Sequence, residues 1–199
     1  MFPNQFGNAS TYTKRDWFFK MSNSSTETNI KDIIITIETM STSYNAVVLQ
    51  IGAAVFDKTT GKVDAVFVTN INPESQKKYG RIIDKRTVEF WKRQPEETIR
   101  DVFIDQISVE SAIHAFDAFL RKNLPSRKYS LCWMTDLGFV SPIIHSLKKS
   151  LGSECVWLRT NERDCKTILS EFGKTVEKKS SGCIPKLVSY VKAMKELYA

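Results

Sequence analysis

Between residues 32 and 71 the apolar positions fall into three runs, one over 32–40, one over 46–56, and one over 63–71 that alternates through Val66 and Val68. Runs of this length, rich in Ile and Val and broken by the turn signal Asp-Lys-Thr-Thr-Gly at 57–61, predict three antiparallel strands. Further on the period becomes helical. Val109, Ala112, Ile113, Phe116, Phe119 and Leu120 share one helical face that ends before Pro125. Residues 129–133 predict a short strand. Ile143, Ile144, Leu147 and Leu151 mark another helix, closed by Gly152, and residues 165–172 a third. The last helix has the clearest pattern, a continuous stripe of Ile184, Leu187, Val188, Val191, Met194 and Leu197 with Lys186, Lys192, Lys195 and Glu196 off it. Three strands, a helix, a strand and then helices predict an α/β domain, a mixed sheet flanked by helices, over residues 32–199.

Residues 1–31 are rich in Ser, Thr and Asn without periodicity and predict a flexible N-terminal arm. Residues 14–20, Lys-Arg-Asp-Trp-Phe-Phe-Lys, form an aromatic and basic cluster in it, a docking peptide or a segment that packs on the domain. Met21 offers a second possible start.

Composition narrows the classes. A chain of 199 residues that is 42% hydrophobic suits one domain with a single core. No apolar run reaches the roughly 18 residues of a membrane span, and no signal peptide opens the chain, so the expectation is a soluble, cytoplasmic protein. Cys132, Cys155, Cys165 and Cys183 form no Cys-x-x-Cys pair and lie in or beside apolar stretches, which predicts buried thiols rather than zinc ligands or disulfides. The net charge of +7 is unevenly spread, with eleven Lys or Arg against five acids between residues 148 and 195. Such a half suits a polyanion or an acidic protein surface, or is simply a solvated face.

Specific motifs carry more. The segment Thr36-Ile-Glu38-Thr-Met40 resembles the Asp-x-Glu-Thr-Met that opens the DnaQ-like (DEDD) 3′–5′ exonucleases. Gln76, Gly80-Arg81, Ile83-Asp84, Thr87-Val-Glu-Phe-Trp91 and Gln94 resemble a segment of the branch that includes the phage T4 exonuclease A type and the mycobacterial-type exoribonucleases. The stretch from Trp133 to Ile144 and Arg163-Asp164-Cys-Lys-Thr167 resemble later motifs of the same branch. The resemblance implies a ribonuclease H-like fold and phage-like ancestry.

It also implies what is missing. Two-metal phosphodiester hydrolysis needs several carboxylates around ions about 3.5–4 Å apart. Residues i and i+2 of a strand share a face, so Asp-x-Glu presents two carboxylates where Thr36 and Glu38 present one. Carried over by motif, the second aspartate falls on Val140, the general-base histidine on Ser181 and the last aspartate on Lys186. Four of these five positions differ from the family pattern, which implies a pseudoenzyme that needs no cofactor. Lys186 places a cation where dications would sit and offers a salt bridge to Glu38.

The alternative is a working Mg- or Mn-dependent exonuclease with rearranged ligands. Asp136, in a loop, is the replacement for that reading, to join Glu38. Asp32 lies about 13 Å along the strand from Thr36, Asp164 suits a helix start, and His114 and His145 read as surface or edge histidines or as a displaced base. Candidate nucleic-acid contacts are Arg81, Phe90, Trp91, Gln94, Arg163, Lys166 and Lys186, with helix-core packing the competing reading for Phe90 and Trp91. The partners expected are nucleic acid or a host or viral protein, and an oligomeric scaffold is a third reading.

Overall fold

The computed structural model describes residues 31–124, 126–176 and 182–198, so the arm over 1–30, with its aromatic and basic cluster, and Ser181 lie outside the described residues. Five strands form one mixed sheet: β1 (Asp32–Thr39), β2 (Val48–Phe56), β3 (Val63–Asn70), β4 (Cys132–Met134) and β5 (Glu162–Asp164), in the order β3-β2-β1-β4-β5. β1, β2 and β3 pair antiparallel, while β4 runs parallel to both β1 and β5. Among the described residues six α-helices accompany it: α1 (Lys85–Lys92), α2 (Glu96–Phe103), α3 (Val109–Asn123), α4 (Leu137–Ser150), α5 (Cys165–Glu171) and α6 (Cys183–Tyr198).

The uninterrupted apolar run of β1 follows from its central place. All eight of its residues are buried, because helices cover both faces of the sheet. Ile33, Ile35 and Ile37 point into a core with Val109 and Phe116 of α3 and Ile143, Ile144 and Leu147 of α4. Ile34 points the other way, into a core with Trp133 and with Leu187, Val191 and Met194 of α6. Thr36 and Glu38 share that second face by strand alternation, which brings them beneath the start of α6.

Three expectations are corrected. β4 begins three residues later than the predicted 129–133, since the preceding residues turn before pairing begins. The stripe on α6 is not all core: Ile184 and Val188 are exposed, and the buried face is Cys183, Leu187, Tyr190, Val191 and Met194. Residues 73–103, where periodicity predicts no element, hold a 3-10 helix (Pro73–Tyr79), α1 and α2. Eight residues give barely two turns, too few to establish a period, and side-chain caps mark the starts of the 3-10 helix and α1 instead. Asn72 accepts from Glu74 N and Asp84 from Thr87 N, each satisfying an orphan amide. Among the described residues no helix is long and apolar enough to cross a membrane.

Candidate functional site

The site is built at the carboxyl end of β1. Glu38 is 6% exposed, and its Oε1 accepts from the ammonium of Lys186 at 2.6 Å and from the Gly182 amide at 2.8 Å. One residue on, Cys183 N donates to Gln50 Oε1 at 2.7 Å, so the start of α6 is fastened to β1 and β2 together. Gly52, paired with Thr36 across the sheet, makes this approach possible. A Cβ there would collide with the Cβ of Cys183. The Thr36 hydroxyl accepts from Thr135 Oγ1 at 3.1 Å, and the residue is 1% exposed.

The other catalytic-type positions do not supply the missing oxygens. Val140 lies in the first turn of α4 and is buried in the core. Asp136 caps α4 by accepting from Phe139 N at 3.2 Å, and its other oxygen pairs with Lys166 Nζ at 2.6 Å. Asp164 caps α5 by accepting from Lys166 N and Thr167 N, and it also accepts from Leu137 N. Asp32, at the far end of β1, accepts from Leu131 N and Trp133 Nε1. Among the described residues no three of His, Cys, Asp and Glu converge as a metal-binding group. One carboxylate neutralised by an ammonium, beside a hydroxyl and a valine, does not fit the donor set of a two-cation centre.

A cleft remains open around this ion pair. Ile37, Phe139 and Lys186 separate two hollows. One, of about 550 Å³, is lined by Thr36, Asp136, Lys166, Lys174 and Tyr190. The other, of about 1010 Å³, is lined by Glu38, Lys85, Arg86, Phe90 and Arg93. Burial pushes the Tyr190 phenol up to about 12, so it faces the cleft as a neutral hydroxyl.

The structure divides the residues of the segment over 76–94. Phe90 is 44% exposed in the second hollow, whereas its neighbour Trp91 is 4% exposed, packs with Leu49 and Val102, and donates from Nε1 to Thr39 O at 2.9 Å. Arg81 does not face the cleft: its guanidinium donates to Ala46 O and Ser146 Oγ, both at 2.9 Å, and burial lowers it to about 10. Gln76 is wholly buried and bonds both polar groups of Val48, as a neighbouring strand would. Gln94 donates to Phe90 O at 3.1 Å within its own turn. Arg163 lies on the edge strand β5, outside both hollows, and donates to Thr160 O and Glu162 O. Lys166 and Lys186 do line the cleft. Sequence reasoning did not single out Lys85, Arg86, Arg93, Lys174 or Tyr190. Cations and a tyrosine scattered between residues 85 and 190 carry no local signal, and only the fold gathers them. His114 is exposed on α3, and His145 sits away from the cleft, against Glu162 and Cys155.

This strand order, with the acidic end of β1 beneath the starts of α4 and α6, defines the ribonuclease H-like fold of the DEDD exonucleases. Solved structures agree. The chain is similar to the nuclease domain of 3′hExo, a DEDDh family member bound to rAMP, with a TM-score of 0.59 and 8% identity over 86% of this chain and 92% of that one. It is similar to a 3′-exonuclease solved in 3′-end-specific recognition of the histone mRNA stem-loop, with a TM-score of 0.55 and 9% identity over 92% of this chain and 70% of that one. It is also similar to Exonuclease I of E. coli in complex with a dT13 oligonucleotide, with a TM-score of 0.56 and 10% identity over 82% of this chain and 40% of that one. At these identities the likeness shows the fold. Residues 31–186 match the 3′-5′ exoribonuclease Rv2179c-like domain, and the chain belongs to that family. No curated protein sequence matches it.

Proposed function

We propose that this protein binds the end of a single-stranded nucleic acid in the exonuclease cleft without cutting it. The observation that carries the reading is the ion pair between Lys186 and Glu38, which puts a protein cation where the family's chemistry calls for metal. An ammonium paired with a carboxylate polarises no water into a nucleophile, so phosphate attraction falls to the other cations of the cleft. The open cleft, the cations Lys85, Arg86, Arg93 and Lys174 on its lining beside the acids Asp84 and Glu89, and the exposed ring of Phe90 are the equipment of single-strand binding. The solved structures with bound rAMP and dT13 support the same class of ligand through the shared fold.

A second reading, a protein partner, draws on Ile184 and Val188, exposed on one side of α6 beside the cleft.

The experiment is fluorescence anisotropy of labelled single-stranded RNA and DNA over a salt series, with the same oligonucleotides followed for shortening in Mg²⁺ and Mn²⁺. Binding that weakens steeply with salt, with full-length oligonucleotide recovered, is expected. Shortening that is lost in Glu38→Ala would establish the metal-dependent enzyme in its place. Absence of binding at low salt would discard the nucleic-acid reading and leave the protein partner.

A further inference from the structure

The cleft lies at the carboxyl ends of β1 and β4, and a second basic surface lies at the opposite end of the sheet. There the turn over 126–130 leads into β4, and a single 3-10 turn, Arg159–Asn161, leads into β5. Asn161 joins the two. Its Nδ2 lies within hydrogen-bond distance of Arg127 O at 3.2 Å, Lys128 O at 2.9 Å and Ser130 O at 3.1 Å. Inside the turn, Ser130 N donates to Ser126 O at 3.0 Å and Tyr129 N donates to Ser126 Oγ at 3.3 Å. Backbone tied in this way fixes the turn and leaves the side chains of Arg127, Lys128 and Tyr129 exposed. Strand pairing sets the distance from the cleft: β4 begins beside Ile33, and Ile33 to Glu38 along β1 is roughly 16 Å at 3.3 Å per residue.

The charge here is uncompensated. Arg127, Lys149 and Arg159 line one hollow of about 510 Å³, Arg121 and Arg127 line a smaller one beside it, and Lys128 follows in the turn. All five cations are exposed, and among the described residues none is in an ion pair. Arg121 and Lys149 close the last turns of α3 and α4, where cations offset the helix dipole. Arg127, Lys128 and Arg159 lie in no α-helix and have no such duty. Two neighbouring acids are already engaged, Asp117 by Lys148 and Glu162 by His145 Nε2, Trp157 Nε1 and Ser141 Oγ, which leaves Glu154 as the acid on the lining of both hollows. An aromatic ring stands among the cations. Tyr129 is 59% exposed, with Lys128 Nζ 5.2 Å from the ring centroid.

We propose that this surface is a second contact site for single-stranded nucleic acid, in which Tyr129 stacks on a base while Arg127, Lys149 and Arg159 take neighbouring phosphates. It shares no lining residue with the two hollows of the cleft and does not rest on what the cleft binds. The ring decides among polyanions. Every unpaired base offers a π face to Tyr129, whereas the acidic side chains of a protein offer none and a duplex keeps its base faces stacked. The turn is closed by Asn161 before any ligand arrives, so the ring and its flanking cations are presented at little ordering cost.

The test is fluorescence anisotropy of the full chain with labelled single-stranded RNA and DNA of about 16 nucleotides over a salt series. Tyr129→Ala is expected to weaken binding about fivefold or more, the low end of base–aromatic stacking, with the salt slope unchanged. Tyr129→Phe keeps the ring and is expected to bind as the wild type does. Arg127→Ala, Lys149→Ala and Arg159→Ala together are expected to flatten the slope of log K against log salt by about 2, at about 0.7 for each phosphate of a single strand. Phe90→Ala reports on the cleft separately, and its loss is expected to multiply with that of Tyr129→Ala, as for sites without shared partners. Loss in Phe90→Ala with all the variants at the turn binding as wild type would overturn this inference and leave the cleft reading standing. Loss in the turn variants alone would uphold it and remove the cleft. Tyr129→Phe as weak as Tyr129→Ala would overturn the stacking, and undiminished oligonucleotide binding in Tyr129→Ala together with capture of polyglutamate would give the surface to an acidic protein instead.

Discussion

The ammonium of Lys186 and the carboxylate of Glu38 meet at 2.6 Å, with the Gly182 amide on the same oxygen at 2.8 Å. The pair lies where two chain segments 148 residues apart converge, the end of β1 and the first turn of α6. It therefore ties the last helix to the central strand and leaves the Glu38 carboxylate paired with a protein cation. Glu38, buried at the end of β1, needs such partners, because a buried, unpaired carboxylate is costly.

That relation predicts the behaviour of the single and double variants. Lys186→Met leaves Glu38 buried with one backbone donor. It should lower stability by about 1–3 kcal/mol, less than a fully buried pair would cost because the Lys186 side chain is 35% exposed. Adding Glu38→Gln should recover most of that loss, since the charge goes with its partner. Urea unfolding of the four proteins of the cycle gives the coupling. If the double variant is as unstable as Lys186→Met alone, the pair is not what holds α6 down.

Gly52→Ala tests the other half of the same junction. The added methyl points at the Cβ of Cys183, a backbone-anchored atom that no rotamer change can move. The cost should be about 1–3 kcal/mol from overpacking. Cys183→Ser should not relieve it, because the collision is with Cβ and not with sulfur. A thermal melt of Gly52→Ala indistinguishable from wild type would mean that α6 shifts freely on the sheet.

Phe90 and Trp91 are adjacent in sequence and opposite in expected effect. Phe90→Ala should leave the melting temperature within about a degree or two, as surface substitutions do, and should weaken single-strand binding by about 1–3 kcal/mol through lost stacking. Trp91→Ala removes a buried ring and the donor to Thr39 O, and should cost about 3–5 kcal/mol of stability. Comparable loss of stability in both variants would remove Phe90 from the binding surface.

Much of the sheet was legible in the sequence, and the pair above shows where legibility ends. β1, β2, β3 and α3 follow from long apolar runs whose period the core enforces, and the Glu38–Lys186 pair followed from aligning motifs at the two ends of the domain. Which of Phe90 and Trp91 is buried could not be read, because in a helix of two turns the face is set by what α1 packs against. Arg81 reads as a nucleic-acid contact, yet the fold spends its guanidinium on Ala46 O and Ser146 Oγ. Likewise Ile184 and Val188 continue a helical stripe, but they are exposed while Cys183, Leu187, Tyr190, Val191 and Met194 form the buried face.

The last prediction concerns pH. Glu162 is held below the ordinary carboxyl value of 4.5 in the folded protein, burial being outweighed by its three donors. A depressed folded value stabilises the protein above the unfolded value and is lost as pH falls through the folded one. The sign is therefore fixed: between about neutral pH and 4.5 the contribution is complete, and it disappears on further acidification. Glu162→Gln cannot titrate, so its stability should fall less steeply below pH 4.5 than that of the wild type, although it starts lower. Thermal melts of both proteins from pH 7 to pH 3 supply the comparison. Parallel curves would assign the acid sensitivity to other carboxylates and leave Glu162 as a packing residue, whereas converging curves would identify its ionised form as the group that holds His145 in place.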